Sequence, residues 1–192
     1  MTSREKMLNA IRHALPQPAD LPDISFQKNV LDLPDQFMLV LQSVGGEAQT
    51  IRVEEVAKMV RSKFPEALRI VSTVQAYSDF AEIPEPDTDP HSFANVDVAV
   101  IKAQFGVAEN GAVWLTEADL GGHRVLPFIT QHLIIVLEEK NIVANMHDAY
   151  TRIDLAQTGF GLFLAGPSKT ADIEQSLVIG AHGARSLVVF MV

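Results

Sequence analysis

The segment from Gly161 to Ala165 reads as a strand that runs into Gly166-Pro167-Ser168-Lys169-Thr170, and a helix is expected from Thr170 to Ile179. A strand, a glycine turn and a helix start together leave backbone N–H groups and the positive end of the helix dipole facing outward. Such a junction binds anions. Ser168 and Thr170 would add hydroxyl donors, and Lys169 a positive charge. The GxxxxGK[ST] spacing of a nucleotide-binding P-loop is absent. A plainer reading stands beside this one: Ser168 or Thr170 caps the helix, and Asp172 and Glu174 already compensate the dipole and would repel an anion.

Two further segments carry reactive side chains. In Phe105-Gly106-Val107-Ala108-Glu109-Asn110-Gly111-Ala112, glycines between two apolar runs place Glu109 at a strand edge. Ligand-facing residues of open sheets sit at such edges, and a partly desolvated carboxylate can act as nucleophile or general base. Asn110-Gly111 is equally a common hairpin turn, which would leave Glu109 merely exposed. In Gly121-Gly122-His123-Arg124, followed by Pro127 and His132, the glycines allow close backbone approach. Arg124 could fork onto a carboxylate or phosphate there. His123 and His132 have no HxH or HxxxH spacing and no acidic residue at a fixed ligand spacing, so no metal site is expected. His182, near the end of the expected helix, is either favoured in its charged form by the dipole or an ordinary turn residue.

The elements that must hold these segments follow from periodicity. Met7, Ile11 and Leu15 form an apolar stripe on a helix from Ser3 to Leu15, with Ser3 as its cap and Pro16 as its stop. This helix either docks on its own domain or grips a partner. Pro16, Pro18 and Pro22 make a stiff linker, so residues 1–27 read as an appendage and 28–192 as one α/β domain. Helices are expected over 35–44, 54–64 and 141–154, and strands over 47–53, 68–72, 96–102, 112–116, 132–137, 161–165 and 186–192. Strand–helix–strand alternation predicts a mostly parallel sheet covered by helices. The strands at 96–102 and 112–116 are too close for a helical crossover. They are expected to pair antiparallel, or to bulge at Gly106 and Gly111.

Composition narrows the function classes. With 192 residues, 47% of them hydrophobic, the chain can bury a sizeable core. A formal charge of −9 repels phosphate backbones, and the densest basic stretch, Lys58 to Lys63, reads as a solvated helix face, so nucleic-acid binding is not expected. There is no cysteine, which removes disulfides, thiolate zinc sites and cysteine-ligated clusters. No apolar run approaches the ~20 residues of a membrane span, and the first fifteen residues lack a signal-peptide core. A cytoplasmic protein is expected.

Read in order, these segments resemble the lactate-utilisation protein C family, the LUD domain. The resemblance is carried by the block from Gly166 to Glu174, by Leu177-Val178-Ile179-Gly180, and by His182-Gly183 and Arg185. Upstream, Ala108-Glu109-Asn110-Gly111-Ala112 is similar to the family's Ala-Glu-Thr-Gly-Thr. Arg124, Pro127 and His132-Leu133-Ile134-Ile135-Val136 are similar to its Arg…Pro…His-hydrophobic strand. The likeness covers residues 91–192 well and the first ninety in outline. Asn110 and Ala112 stand where the family has threonines, and Pro127 lies further from His132.

The resemblance implies an α/β fold similar to ribose-phosphate isomerase and CoA-transferases. It implies a non-redox subunit that supports oxidation of L-lactate to pyruvate together with two iron–sulfur partner proteins, which would hold the clusters; this chain would carry no cofactor. Glu109-Asn110-Gly111 also resembles the Ser-Glu-Asn-Gly segment of CoA-transferases, with Ala108 in the place of serine. The alternatives are a stand-alone enzyme or binder of a small phosphate, carboxylate or CoA compound, and a module that binds no small molecule. For an enzyme or binder, Glu109 would be catalytic. Gly111, Arg124, His132, Gly166, Ser168, Lys169 and Thr170 would hold the small anionic ligand.

Overall fold

A computed structural model describes residues 2–16, 19–20, 32–154, 156–170 and 178–192. In chain order the elements are α1 (Ser3–Ala14), α2 (Leu33–Ser43), β1 (Glu47–Thr50), α3 (Val56–Lys63), β2 (Ile70–Ser72), β3 (Val98–Lys102), β4 (Phe105–Val107) and β5 (Ala112–Thr116). Then come α4 (Leu126–Ile129), β6 (His132–Leu137), β7 (Ile142–Val143), α5 (Met146–Thr151), β8 (Gly161–Leu164), β9 (Lys169–Thr170), β10 (Val178–Ile179) and β11 (Ser186–Met191).

Five strands form the parallel sheet that the alternation predicts, in the order β1-β11-β6-β3-β2. Its central strands read as near-continuous apolar runs because both faces are covered. Side chains alternate between the faces. Val98, Val100, Ile134, Val136, Val188 and Phe190 point to one face and meet Val56 and Val60 of α3. Ala99, Ile101, Leu133, Ile135, Leu137, Leu187, Val189 and Met191 point to the other and meet Phe37 and Leu41 of α2 with Val113 and Leu115 of β5. Opposite coverage follows from topology. The β1→β2 connection crosses the whole sheet in one direction, and the later connections step back in the other. Right-handed crossovers then lie on opposite faces.

A second sheet, not foreseen from periodicity, has the order β7-β4-β5-β8. The antiparallel partners of β5 are β4 and β8, whereas β3 pairs only with β2 and β6, in parallel. The expected pairing of 96–102 with 112–116 is thus corrected: Ala103 and Gln104 carry the chain from one sheet to the next. Phe105, Val107, Trp114, Val143 and Ala149 pack a third cluster on this sheet's outer side.

Other expectations are corrected in detail. The helix expected over 141–154 is only α5, because Ile142 and Val143 join the second sheet beside β4. The α1 cap is Thr2 rather than Ser3: its hydroxyl accepts from Glu5 N–H, and the Glu5 carboxylate accepts from Thr2 N–H. Met7, Ile11 and Leu15 are all exposed, and α1 buries no residue. Much of the Pro-rich linker lies outside the described residues. Among the described residues no helix is long and apolar enough to cross a membrane.

Candidate functional site

The bend at Gly166 exists, and its chemistry differs from that of a helix start. Gly166 has φ +71°, and a Cβ there would lie 2.5 Å from the Val44 carbonyl oxygen, so only glycine fits. Ser168 N–H donates to the Ala184 carbonyl at 2.9 Å, and the Ser168 carbonyl accepts from Gly180 N–H at 2.9 Å. The Lys169 ammonium donates to the Val44 carbonyl. At Thr170 the expected helix is corrected to a strand: Lys169–Thr170 pairs antiparallel with Val178–Ile179. The interior of that expected helix, 171–177, lies outside the described residues. Gly166, Ser168 and Lys169 do line one small cleft of about 290 Å³ with Phe128, His182 and Gly183.

Glu109, Gly111 and Arg124 do not line that cleft. Glu109 is exposed in the β4–β5 turn, and its carboxylate accepts from Met146 N–H at 2.8 Å, at the first turn of α5. Asn110 closes the same turn by accepting from Ala112 N–H at 3.0 Å. Gly111, at φ +67°, presses on α2: a Cβ there would meet Leu41 Cα and N at 2.8 Å. The Arg124 guanidinium forks onto Glu117, with Nε and one terminal nitrogen each 2.8 Å from a carboxylate oxygen, and lies over the Phe160 ring. The pair holds the Glu117 carboxyl below its ordinary range.

His132 occupies a different cleft, of about 370 Å³, at the amino ends of β3, β6 and β11. Its Nδ1 lies 2.8 Å from Ser186 Oγ, and its ring stacks on Phe64 with centroids 4.5 Å apart. Burial first, then the Arg185 charge, lowers the imidazole pKa, against a smaller opposing pull from Asp97. Arg185, Gln131, Lys63 and Asp97 complete the walls. Asp97 is already committed, accepting from Leu68 N–H at 2.7 Å and Arg69 N–H at 2.9 Å.

A wider cleft, of about 940 Å³, lies where all five parallel strands end. Ile51, Val74, Lys102, Glu138 and Val192 follow or finish those strands and line it with Arg52 and Lys140. Open α/β sheets use this edge for ligands, so its residues were foreseeable from strand ends alone, yet no motif marked them. Glu138 is bridged by Lys102 at 2.7 Å and Lys140 at 2.8 Å. Their hydrogen bonds, that of Lys102 first, bring its carboxyl from 4.5 down to about 2. A ¹³C NMR titration of the Glu138 carboxyl is expected to have its midpoint near pH 2, and Lys102→Ala to move it back toward 4.5. The native value lies below the unfolded one. The bridge therefore stabilises fully above the unfolded carboxyl range, and that contribution is lost as pH falls through the native value. Among the described residues no group of three or more His, Cys, Asp or Glu could hold a metal ion.

A five-stranded parallel sheet with a mixed sheet packed on one face, and clefts at both of its ends, defines the structural class. The LUD domain family model matches residues 87–192, more than half of the chain, and the chain belongs to that family. It is 34% identical over 93 residues to the Lactate utilization protein C of Shouchella clausii, covering 45% of this chain and 40% of that protein. It is 32% identical over 103 residues to an uncharacterized protein of Neisseria meningitidis, covering 52% and 44%. The chain thus spans about two fifths of the length of these curated relatives. A crystal structure of a DUF162 family protein from Deinococcus radiodurans superposes with a TM-score of 0.64 at 17% identity, covering 83% of this chain and 95% of that one, and so shares the fold.

Proposed function

We propose that this chain is a non-redox component of an L-lactate utilisation system, acting beside iron–sulfur proteins that oxidise lactate to pyruvate. The observation that carries the reading is the similarity, at 31–34% identity, to proteins named Lactate utilization protein C from Shouchella clausii, Bacillus pumilus and Halalkalibacterium halodurans. A division of labour supports it. Oxidising lactate moves two electrons, and a chain with no cysteine supplies no thiolate to hold a cluster. The electrons would pass to the partners' clusters, and this chain would contribute binding or assembly.

Deleting its gene is expected to abolish growth on L-lactate as sole carbon source while growth on pyruvate continues. The tagged chain is expected to co-purify with cysteine-rich iron–sulfur proteins. Normal growth of the deletion strain on L-lactate would exclude this role.

A further inference from the structure

We propose that the cleft between His132 and Arg185 binds a short-chain 2-hydroxy or 2-oxo carboxylate, the Arg185 guanidinium taking the carboxylate and His132 Nε2 the oxygen on the adjacent carbon. The class of ligand is argued from geometry; the choice of lactate and pyruvate within it rests on the function proposed above.

Strand register builds the site. His132 opens β6 and Ser186 opens β11, and the two are direct partners in the parallel ladder. Arg185, one residue before Ser186, donates its backbone N–H to the Gln131 carbonyl at 2.8 Å, which ties it to the residue before His132. Gly180, at φ +76°, leaves room for the Arg185 stem: a Cβ there would lie 2.5 Å from Arg185 Cγ. Two adjacent sheet strands therefore bring Arg185 and His132 to the wall of one cavity.

Among the described residues, the charges around this cavity leave Arg185 without an opposite charge. Lys63 pairs with Glu47, and Asp97 is held by two backbone amides. Glu66 also lines the wall. Arg185 has no carboxylate partner among the described residues. Its fork of donors matches a carboxylate. The carboxylates of Asp97 and Glu66 disfavour a doubly charged phosphate in a space of about 370 Å³.

His132 supplies the second contact. Its Nδ1 is engaged by Ser186 Oγ, its ring is clamped on Phe64, and Nε2 has no partner among the described residues. A neutral imidazole donates at one nitrogen and accepts at the other, and the Ser186 hydroxyl can serve either tautomer. Nε2 can therefore accept from a 2-hydroxyl or donate to a 2-oxo oxygen. Burial and Arg185 lower the imidazole pKa and so favour the neutral ring. A bound anion favours the imidazolium. Of the charged groups facing the ring, Arg185 and Lys63 oppose that protonation, and Asp97 and Glu66 assist it.

The test is isothermal titration of the full chain with L-lactate, pyruvate, acetate and inorganic phosphate. Lactate and pyruvate are expected to bind more tightly than acetate, and phosphate most weakly. Arg185→Gln should weaken lactate about tenfold to a hundredfold, the range for a hydrogen bond to a charged group. Its melting temperature should be unchanged, because the side chain is exposed and has no ion-pair partner among the described residues. Arg185→Lys should recover only part of the affinity. His132→Gln should erase the preference for lactate over acetate and flatten the rise in affinity expected as pH falls. The proposal is overturned if no carboxylate binds, if phosphate binds most tightly, or if Arg185→Gln binds lactate as the unaltered chain does. Loss of binding alongside a growth defect in the deletion strain would remove this site and leave the lactate role standing; binding without a growth defect would do the reverse.

Discussion

Replacing Phe37 by alanine is expected to cost about 3–5 kcal/mol, the range for truncating a fully buried phenylalanine. Phe37 is 0% exposed and sits on α2 between the two sheets. Its ring lies against Gly106 of β4, where a Cβ would approach it to 3.1 Å, and beside Leu137 of β6. One side chain thus touches the helix, the second sheet and the parallel sheet. The cavity left by alanine would open at their junction, among close-packed side chains that relax only partly. For a domain of this size the melting temperature should fall by roughly 6–20 °C, measured by calorimetry. A shift under a degree would mean that α2 is not the joint between the sheets.

The second large effect is expected at Gly111. Alanine there must adopt φ +67°, which costs about 1–2 kcal/mol for a residue with a Cβ. The same Cβ would press on the α2 backbone at Leu41 Cα and N, 2.8 Å away. Backbone gives way less readily than a side chain, and overpacking adds about 1–3 kcal/mol. The sum is a loss of about 2–5 kcal/mol, readable as a shift in the urea midpoint. Asn110→Ala at the neighbouring position should cost far less, because it removes only one hydrogen bond of the turn.

The contrast between these neighbours explains what was legible in the sequence. Strand–helix–strand alternation, with strands expected over 96–102, 132–137 and 186–192, announced a mostly parallel sheet covered by helices, and the sheet is there. The hairpin at Asn110-Gly111 was legible too, through its turn chemistry. Hidden was what the hairpin pairs with, since β4 and β7 are three and two residues long and carry no periodic signal. Gly106 read as a possible bulge and Gly111 as part of a ligand site, yet their missing side chains make room for α2. Tertiary packing, invisible to spacing, decided both. Thr170 shows the reverse error: hydroxyls after a Gly-Pro turn suit a helix cap, whereas a two-residue ladder with Val178–Ile179 claims the position.

The clefts were legible to the same degree. His132 was singled out beside His123 and through the likeness of its strand to the family's. Arg185 entered only as part of the family resemblance, because its meeting with His132 depends on the β6–β11 register, 54 residues apart in sequence. No spacing or motif marked Lys102, Glu138 and Lys140. Only the alignment of five strand ends gathers them into one wall.

The order in which the central sheet is assembled has a kinetic consequence. Among the described strands, β1 has a single neighbour in its sheet, β11, which is the latest in the chain. Glu47 and Val188, its ladder partner, lie 141 positions apart in the chain. The earliest strand must therefore wait, unzipped, until the latest arrives to wedge between it and β6. Loop-closure entropy on that scale slows folding toward milliseconds to seconds. Until then the apolar flank of β6 lies open to association with other chains.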